Sequence, residues 1–277
     1  MRPNATPHLS PLGPLGPLGP FEERSAAGGG RVRGMWQAIV FFTALAILWE
    51  GSVRVFEIRS YLLPPLSAVL EELVRSRALL WTHGIVTFKE VVLGFITAAV
   101  SGVLMAAVVF FVPLARRTIY PLLIGLQSVP KVGLAPLIIV WFGYGLSSKV
   151  IMSFLFAFFP IVISTLGGLA GTPEHLEEHF RALKASGWVT FWKLRVPSAL
   201  PSFVDGCKVA MPLAVIGAVV GEFVGSNDGL GNLILLATGS SRSSLTFAAL
   251  GAVTAMSLAL FAVVAGFGRL VWWRAQS

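Results

Sequence analysis

The sequence predicts an all-α, polytopic membrane protein of six transmembrane helices, with a long polar loop between the fourth and fifth. Three observations carry that reading. The 277 residues are 55% hydrophobic and 12% charged, with a mean hydropathy of +0.80, whereas soluble domains carry about a quarter charged residues. The apolar residues gather in stretches that match the roughly 20 needed to cross a hydrocarbon core about 30 Å thick. The basic residues lie between those stretches, where they act as topology determinants.

The chain divides at its start. Residues 1–34 are read as a disordered cytoplasmic tail and residues 35–277 as the transmembrane domain. Pro11-Leu12-Gly13 opens a tripeptide that repeats as far as Pro20, and Ala26-Ala27-Gly28-Gly29-Gly30 follows. Proline and glycine at that density neither hold a helix nor bury a core. No charged start leads directly into an apolar core, so a cleaved signal peptide is not expected.

The first span covers residues 35–53, with Trp36 and Trp49 placed as interface anchors. From Ser67 onward Val69, Leu70, Leu73 and Val74 alternate with Glu71, Glu72, Arg75 and Arg77. That spacing predicts an amphipathic helix at the membrane surface, N-capped by Ser67. The second span is 85–112 and stops at Pro113; the third is 119–142 and contains Pro121, Pro130 and Pro136. The fourth is 150–170, interrupted by Pro160, and the fifth and sixth are 206–224 and 245–273.

Charge sets the orientation. With the N-terminus inside, the cytoplasmic set is Arg2, Arg24, Arg31, Arg33, Arg116, Arg117, Arg181, Lys184, Lys193, Arg195, Lys208, Arg269 and Arg274. The outside set is Arg54, Arg59, Arg75, Arg77, Lys149 and Arg242, while Lys89 and Lys131 fall within spans. Thirteen against six favours cytoplasmic N- and C-termini. The net charge of +8 does not point to nucleic acid, because no basic helix face or aromatic-interleaved patch accompanies it. Cys207 is the only cysteine, which excludes an intrachain disulfide.

The polar segment 174–201 is longer than the two to eight residues of a tight helix connection. Leu176, Phe180 and Leu183 share one helical face, Phe191, Trp192 and Leu194 follow, and Ser186-Gly187 supplies a break. Pro197 and Pro201 are expected to end the unit and steer the chain into the fifth span. Two short helices lying across the inner face of the membrane form a docking surface.

This stretch resembles the cytoplasmic EAA loop of binding-protein-dependent ABC importer permeases. Glu178 takes the motif's Glu position, Ala185-Ser186 follow its Gly position, and Pro197 and Pro201 match its two prolines. The chain departs where His179-Phe180 replace Ala-Ala and where Lys184 stands in place of Gly. Ser128-Val129-Pro130-Lys131, Leu134-Ala135-Pro136-Leu137, Trp141-Phe142-Gly143-Tyr144-Gly145 and Phe158-Phe159-Pro160 resemble the subfamily that imports nitrate, sulfonates, taurine and pyrimidine precursors. Gly221-Glu222-Phe223-Val224-Gly225 followed by Gly229-Leu230-Gly231 adds to that likeness, which runs from about Leu62 to the C-terminus.

The resemblance implies an importer permease in the cell inner membrane, with the segment between spans four and five as a coupling-helix loop. It implies a second permease subunit, expected to be a copy of this chain, two cytoplasmic ATPase subunits and an extracytoplasmic substrate-binding protein. Glu178, His179, Phe180, Ala185, Ser186 and Gly187 are then the residues that meet the ATPase. The chain has no Gly-x-x-x-x-Gly-Lys-Ser/Thr loop, so ATP is expected on the partner, with no cofactor and no catalytic residue here.

Two charged residues inside spans are candidates for lining or gating the pathway. Glu222 sits near the end of span five, where a carboxylate faces water, a partner or the pathway, or else is satisfied structurally. Lys131 interrupts span three and is placed either to attract an anion or to snorkel from a bent helix. Gly217, Gly221 and Gly225, and the row Gly206, Ala210 and Ala214, allow close helix approach within the subunit or at a dimer face. His175, Glu178 and His179 make no metal site, since adjacent residues point to different helix faces. An ATP-independent secondary transporter or channel is the competing function, but it gives the polar loop no task; a passive scaffold gives none to the prolines and glycines inside the spans.

Overall fold

The computed structural model describes residues 27–272, with side chains for residues 36–269. The expected tail lies outside the described residues as far as position 26. Helix α1 (Ala27–Val55) begins within the rest of it, ahead of the expected start. Adding turns to an existing helix costs far less than nucleating one, so the glycines there extend the span. Residues up to Ser52 form one compact unit and residues from Val53 onward another. In the first, α1 presents Phe41, Phe42, Ile47 and Leu48 as exposed apolar side chains.

The second unit contains α2 (Leu66–Arg75), α3 (Arg77–Phe111), α4 (Pro113–Gln127), α5 (Ala135–Phe142) and α6 (Leu146–Ala170). It continues with α7 (Glu174–Ala182), α8 (Gly187–Thr190), α9 (Val196–Gly225), α10 (Leu230–Gly239) and α11 (Ser243–Trp272). No strand occurs among the described residues. Among the described residues five helices are long and apolar enough to cross a membrane, and there are six spans if α4 and the segment Lys131–Phe142 count as one bent by 92°. The multi-pass, all-α architecture is therefore the one expected. The bend follows from Pro130, which cannot donate to a helix; the chain turns through a 3-10 segment (Lys131–Leu134) in which Gly133 N–H bonds to Pro130 O at 2.9 Å.

Two local expectations change. Pro65, not Ser67, is the N-cap of α2, and Ser67 Oγ instead lies 3.4 Å from Arg54 Nη2. Glu72 on α2 accepts from Ser76 Oγ at 2.6 Å and pairs with Arg242 at 3.2 Å, while Val69 is buried beside Leu80, Leu233 and Leu245. Pro197 and Pro201 do not end a separate helix, because one apolar helical run extends from Gly187 to Gly225. It passes the prolines by widening into a π-helical turn (Phe191–Arg195), where Val196 N–H reaches back to Phe191 O.

Helix α6 is the hub of this unit, packed between α3 and α9. Its Ala157 and Ile161 meet Val91 and Ala98 of α3 and Ala210, Ala214 and Ala218 of α9, all buried. Glycines set the approach. A Cβ on Gly217 would lie 2.6 Å from Met152 O, one on Gly206 2.6 Å from Ser164 Cβ, and one on Gly102 2.9 Å from Ile161 Cγ2. Gly221 lies against Lys149 and Met152 and Gly225 against Ile139 and Tyr144, so the glycine row packs within the chain.

Gly217→Val is expected to destabilise the chain by about 1–3 kcal/mol through overpacking against α6. Gly251→Ala, inside α11 where a Cβ meets nothing within 4 Å, is expected to raise stability by up to about 1 kcal/mol. Thermal unfolding in detergent, followed by tryptophan fluorescence, separates the two.

Candidate functional site

The two ends of the α3–α6–α9 bundle differ, and each carries a constructed polar feature. At the α7 end, the helix stops in a Schellman motif. Lys184 N–H bonds to Arg181 O at 3.0 Å and Ala185 N–H to Phe180 O at 3.0 Å. This needs a left-handed residue, and Lys184 supplies it with φ +53. The turn thus forms where the resemblance expects glycine, and Gly187 is instead the first residue of α8, N-capped by Ser186 Oγ at 3.4 Å from Val189 N. The geometry survives the departure from glycine at a conformational cost of about 1–2 kcal/mol.

Arg195 fixes this segment to the bundle. From the π-helical turn it pairs with Glu177 of α7 at 2.8 Å, donates to Leu169 O at the end of α6 at 3.4 Å, and lies 4.8 Å over the ring of Phe110 at the end of α3. Phe191 adds an apolar seat, buried with Leu169 and Ala199 and 4.6 Å from the Phe111 ring. Three large apolar side chains stay outside among charged ones: Leu183, Trp188 and Trp192 are 67%, 68% and 52% exposed. Glu178, His179, Ser186 and Gly187 are exposed and Phe180 and Ala185 half-buried, so the structure gathers the six expected residues along one protruding segment.

At the α10 end lies a buried polar cluster. Glu222 near the end of α9 is 0% exposed, and Glu90 of α3 and Lys149 of α6 are each 2% exposed. The Glu222 carboxylate accepts from Thr87 Oγ1 at 2.6 Å and from Gly231 N–H, and the Asn232 backbone also bonds to it. Thr87 Oγ1 in turn accepts from Leu230 N–H at 2.8 Å, and His83 Nδ1 lies 3.0 Å from Gly229 N. In the tautomer protonated on Nε2, that nitrogen accepts. The first amides of α10, which no helix satisfies internally, are therefore all bonded to side chains of α3 and α9. A carboxylate there also complements the helix dipole.

The turn before α10 closes tightly over this carboxylate. Gly229 has φ +102, and a Cβ there would overlap Glu222. A Cβ on Gly231 would lie 2.7 Å from Glu222 Oε2. Lys149 sits within electrostatic reach of Glu90 and Glu222 and donates to the carbonyls of Tyr144 and Gly145. It is a buried member of this cluster and not the loop charge that the sequence reading counted. One Glu90 oxygen has no partner among the described residues. Lys131, at the bend of the broken span, places its ammonium 5.0 Å from the Phe159 ring and 5.7 Å from that of Phe156.

Sequence reasoning named Glu222 but missed Thr87, His83 and Glu90, and it missed Glu177 and Arg195 at the other end. An ionisable residue within an apolar run is itself a signal, and Glu90 in the second span carries it. The pairing of Arg195 with α7 spans a turn whose path no local pattern specifies.

The second unit is thus a helical bundle with a bent span, a polar segment seated by Arg195 at one end and a short helix capped by buried side chains at the other. The chain belongs to the family of binding-protein-dependent transport system inner membrane components, whose description matches residues 91–272. It is 41% identical over 193 residues to the formylaminopyrimidine transport permease ThiX of Halalkalibacterium halodurans, covering 69% of this chain and 77% of that one. To the riboflavin transport system permease RibX of Chloroflexus aurantiacus it is 32% identical, over 89% of this chain and 96% of the relative. In fold it is similar to the inward-facing MetNI methionine ABC transporter, with a TM-score of 0.56 at 21% identity, covering 73% of this chain and 97% of that one. The chain is an ABC importer permease, and its relatives include permeases named for aliphatic sulfonates, taurine and nitrate.

Two substitutions test the constructed features. Lys184→Gly is expected to slow amide exchange at Ala185 several-fold by removing the left-handed strain. Thr87→Val orphans Leu230 N–H, at about 1–3 kcal/mol for a buried group, and removes one donor from the Glu222 carboxylate. Exchange at Leu230 is expected to accelerate at least tenfold while exchange at Ala185 is unchanged.

Proposed function

We propose that the segment from α7 through the π-helical turn receives a cytoplasmic ATPase subunit and passes its movement to α9. The observation that carries this is the three-way grip of Arg195 on α7, α6 and α3 beneath the exposed Leu183, Trp188 and Trp192. An exposed apolar patch on a rigid seat is a docking surface, not a mobile loop. ATP is bound and hydrolysed by separate subunits, and this chain performs no chemistry of its own. A movement of the docked segment acts on α9 directly, since the helix is continuous from Gly187 to Gly225.

In this reading Glu178, His179, Phe180, Ala185, Ser186 and Gly187 meet the ATPase, two copies of the chain form the pathway, and a binding protein delivers solute at the α10 end. The excess of basic residues at the α7 end supports placing that end, and both termini, on the cytoplasmic side of the cell inner membrane. Glu222 holds the re-entrant turn at the delivery end and serves the gate by positioning it. Lys131 engages aromatic rings and stiffens the bend of the broken span, which supports a pathway without a free cation there. A pyrimidine-like solute is the favoured cargo, with support from the 41% identity to the formylaminopyrimidine permease; sulfonates, taurine and nitrate are the other members of the class.

Ala185→Asp adds a charge to the half-buried wall of the docking surface. It is expected to abolish ATP-driven uptake of labelled formylaminopyrimidine into reconstituted vesicles, with membrane insertion and unfolding temperature unchanged. Uptake at the parent rate in that variant, or uptake with the ATPase left out, would remove the coupling assignment.

A further inference from the structure

We infer that an anionic phospholipid binds in the cavity between α3, α4 and α6 at the α7 end of the bundle. The cavity has a volume of about 210 Å³ and is lined by Phe110, Arg116, Tyr120, Ile163, Leu166 and Gly167 among others. Its walls are hydrocarbon and ring, with one guanidinium and one phenol at the polar side. That combination fits an amphiphile: acyl chain against the walls, phosphate at Arg116.

Charge complementarity supports this occupant over a neutral one. Arg195, just across the Phe110 ring, is committed to Glu177 and Leu169 O. Arg116 has no ion-pair or hydrogen-bond partner for its side chain among the described residues, and Arg117 adjoins it. An unpaired cation at the mouth of an apolar cleft, at the end of the chain richest in basic residues, is the chemistry that recognises an anionic headgroup. A Cβ on Gly167 meets nothing within 4 Å, so the wall there is open, and the cavity takes only part of one acyl chain, the rest lying in the bilayer.

The site adjoins the coupling segment. Phe110 lines the cavity on one side and carries Arg195 at 4.8 Å on the other. A lipid seated there braces the ring on which the Arg195 grip rests, so its binding bears on the segment without touching it.

The assembled complex in detergent, titrated with phosphatidylglycerol or phosphatidylcholine and read by native mass spectrometry, tests the inference without ATP. Retention of phosphatidylglycerol is expected to exceed that of phosphatidylcholine. Arg116→Ala should reduce that preference about fivefold, the effect of roughly one basic group at a charged surface. Arg116→Lys should keep most of it, and Gly167→Phe should lower retention of both lipids. Arg59→Ala, at the opposite end, should change nothing. Parent-like retention in both Arg116→Ala and Gly167→Phe overturns the site, as does displacement of the lipid by glycerol 3-phosphate at equal concentration, which would assign the cavity to a soluble anion.

Discussion

A backbone inside an apolar layer has no water to bond with, so each N–H and C=O that leaves a helix must find its partner within the chain. That constraint explains the irregular parts of this permease better than any side-chain preference does. The α10 amides meet His83, Thr87 and Glu222 because a helix that starts beneath the surface exposes its first donors to a dry environment. The prolines near the start of α9 are passed by a π-helical turn that moves a hydrogen bond one residue back and does not lose it.

Close packing supplies the second half of the design. Apolar side chains give little association energy between helices in lipid, so backbone approach and dispersion decide the geometry. Glycines at the α3–α6 and α6–α9 crossings bring the helices into backbone contact. A tightly packed core changes between discrete arrangements more readily than it deforms. In the proposed coupling, that packing carries movement imposed at the α7 end to the α10 end.

The architecture was largely legible because apolar length and charge placement are one-dimensional signals. Six stretches, their breaks at Pro130 and Pro113 and the docking segment all follow from them. The turn forms at the motif's glycine position, Lys184, and not at the Ser186-Gly187 break that the local pattern suggested. Hydrogen bonding across the turn, and not residue type, chose Lys184 over Gly187. The start of the fifth span was missed for a related reason: Pro197 and Pro201 read as breakers only if the preceding turn is α-helical. The α10 cluster was the least legible. Thr87, Glu90, Lys149 and Glu222 lie far apart in sequence and meet only after α3, α6 and α9 have packed, so no spacing rule connects them.

These pieces combine in α9. A helical run of 39 residues is about 58 Å long at 1.5 Å per residue, enough to join the two ends without a flexible link. Its first turns carry Trp188, Trp192 and Arg195, and its last carries Glu222, which holds the turn into α10. In the proposed coupling, a shift of the docked segment displaces the carboxylate that caps the opposite turn. The cap has three donors from two elements, so a displacement along the helix cannot keep all of them at bonding distance. Coupling then needs no chain of intermediaries. One helix bears both contacts, and the state of one end sets the hydrogen-bond energy of the other.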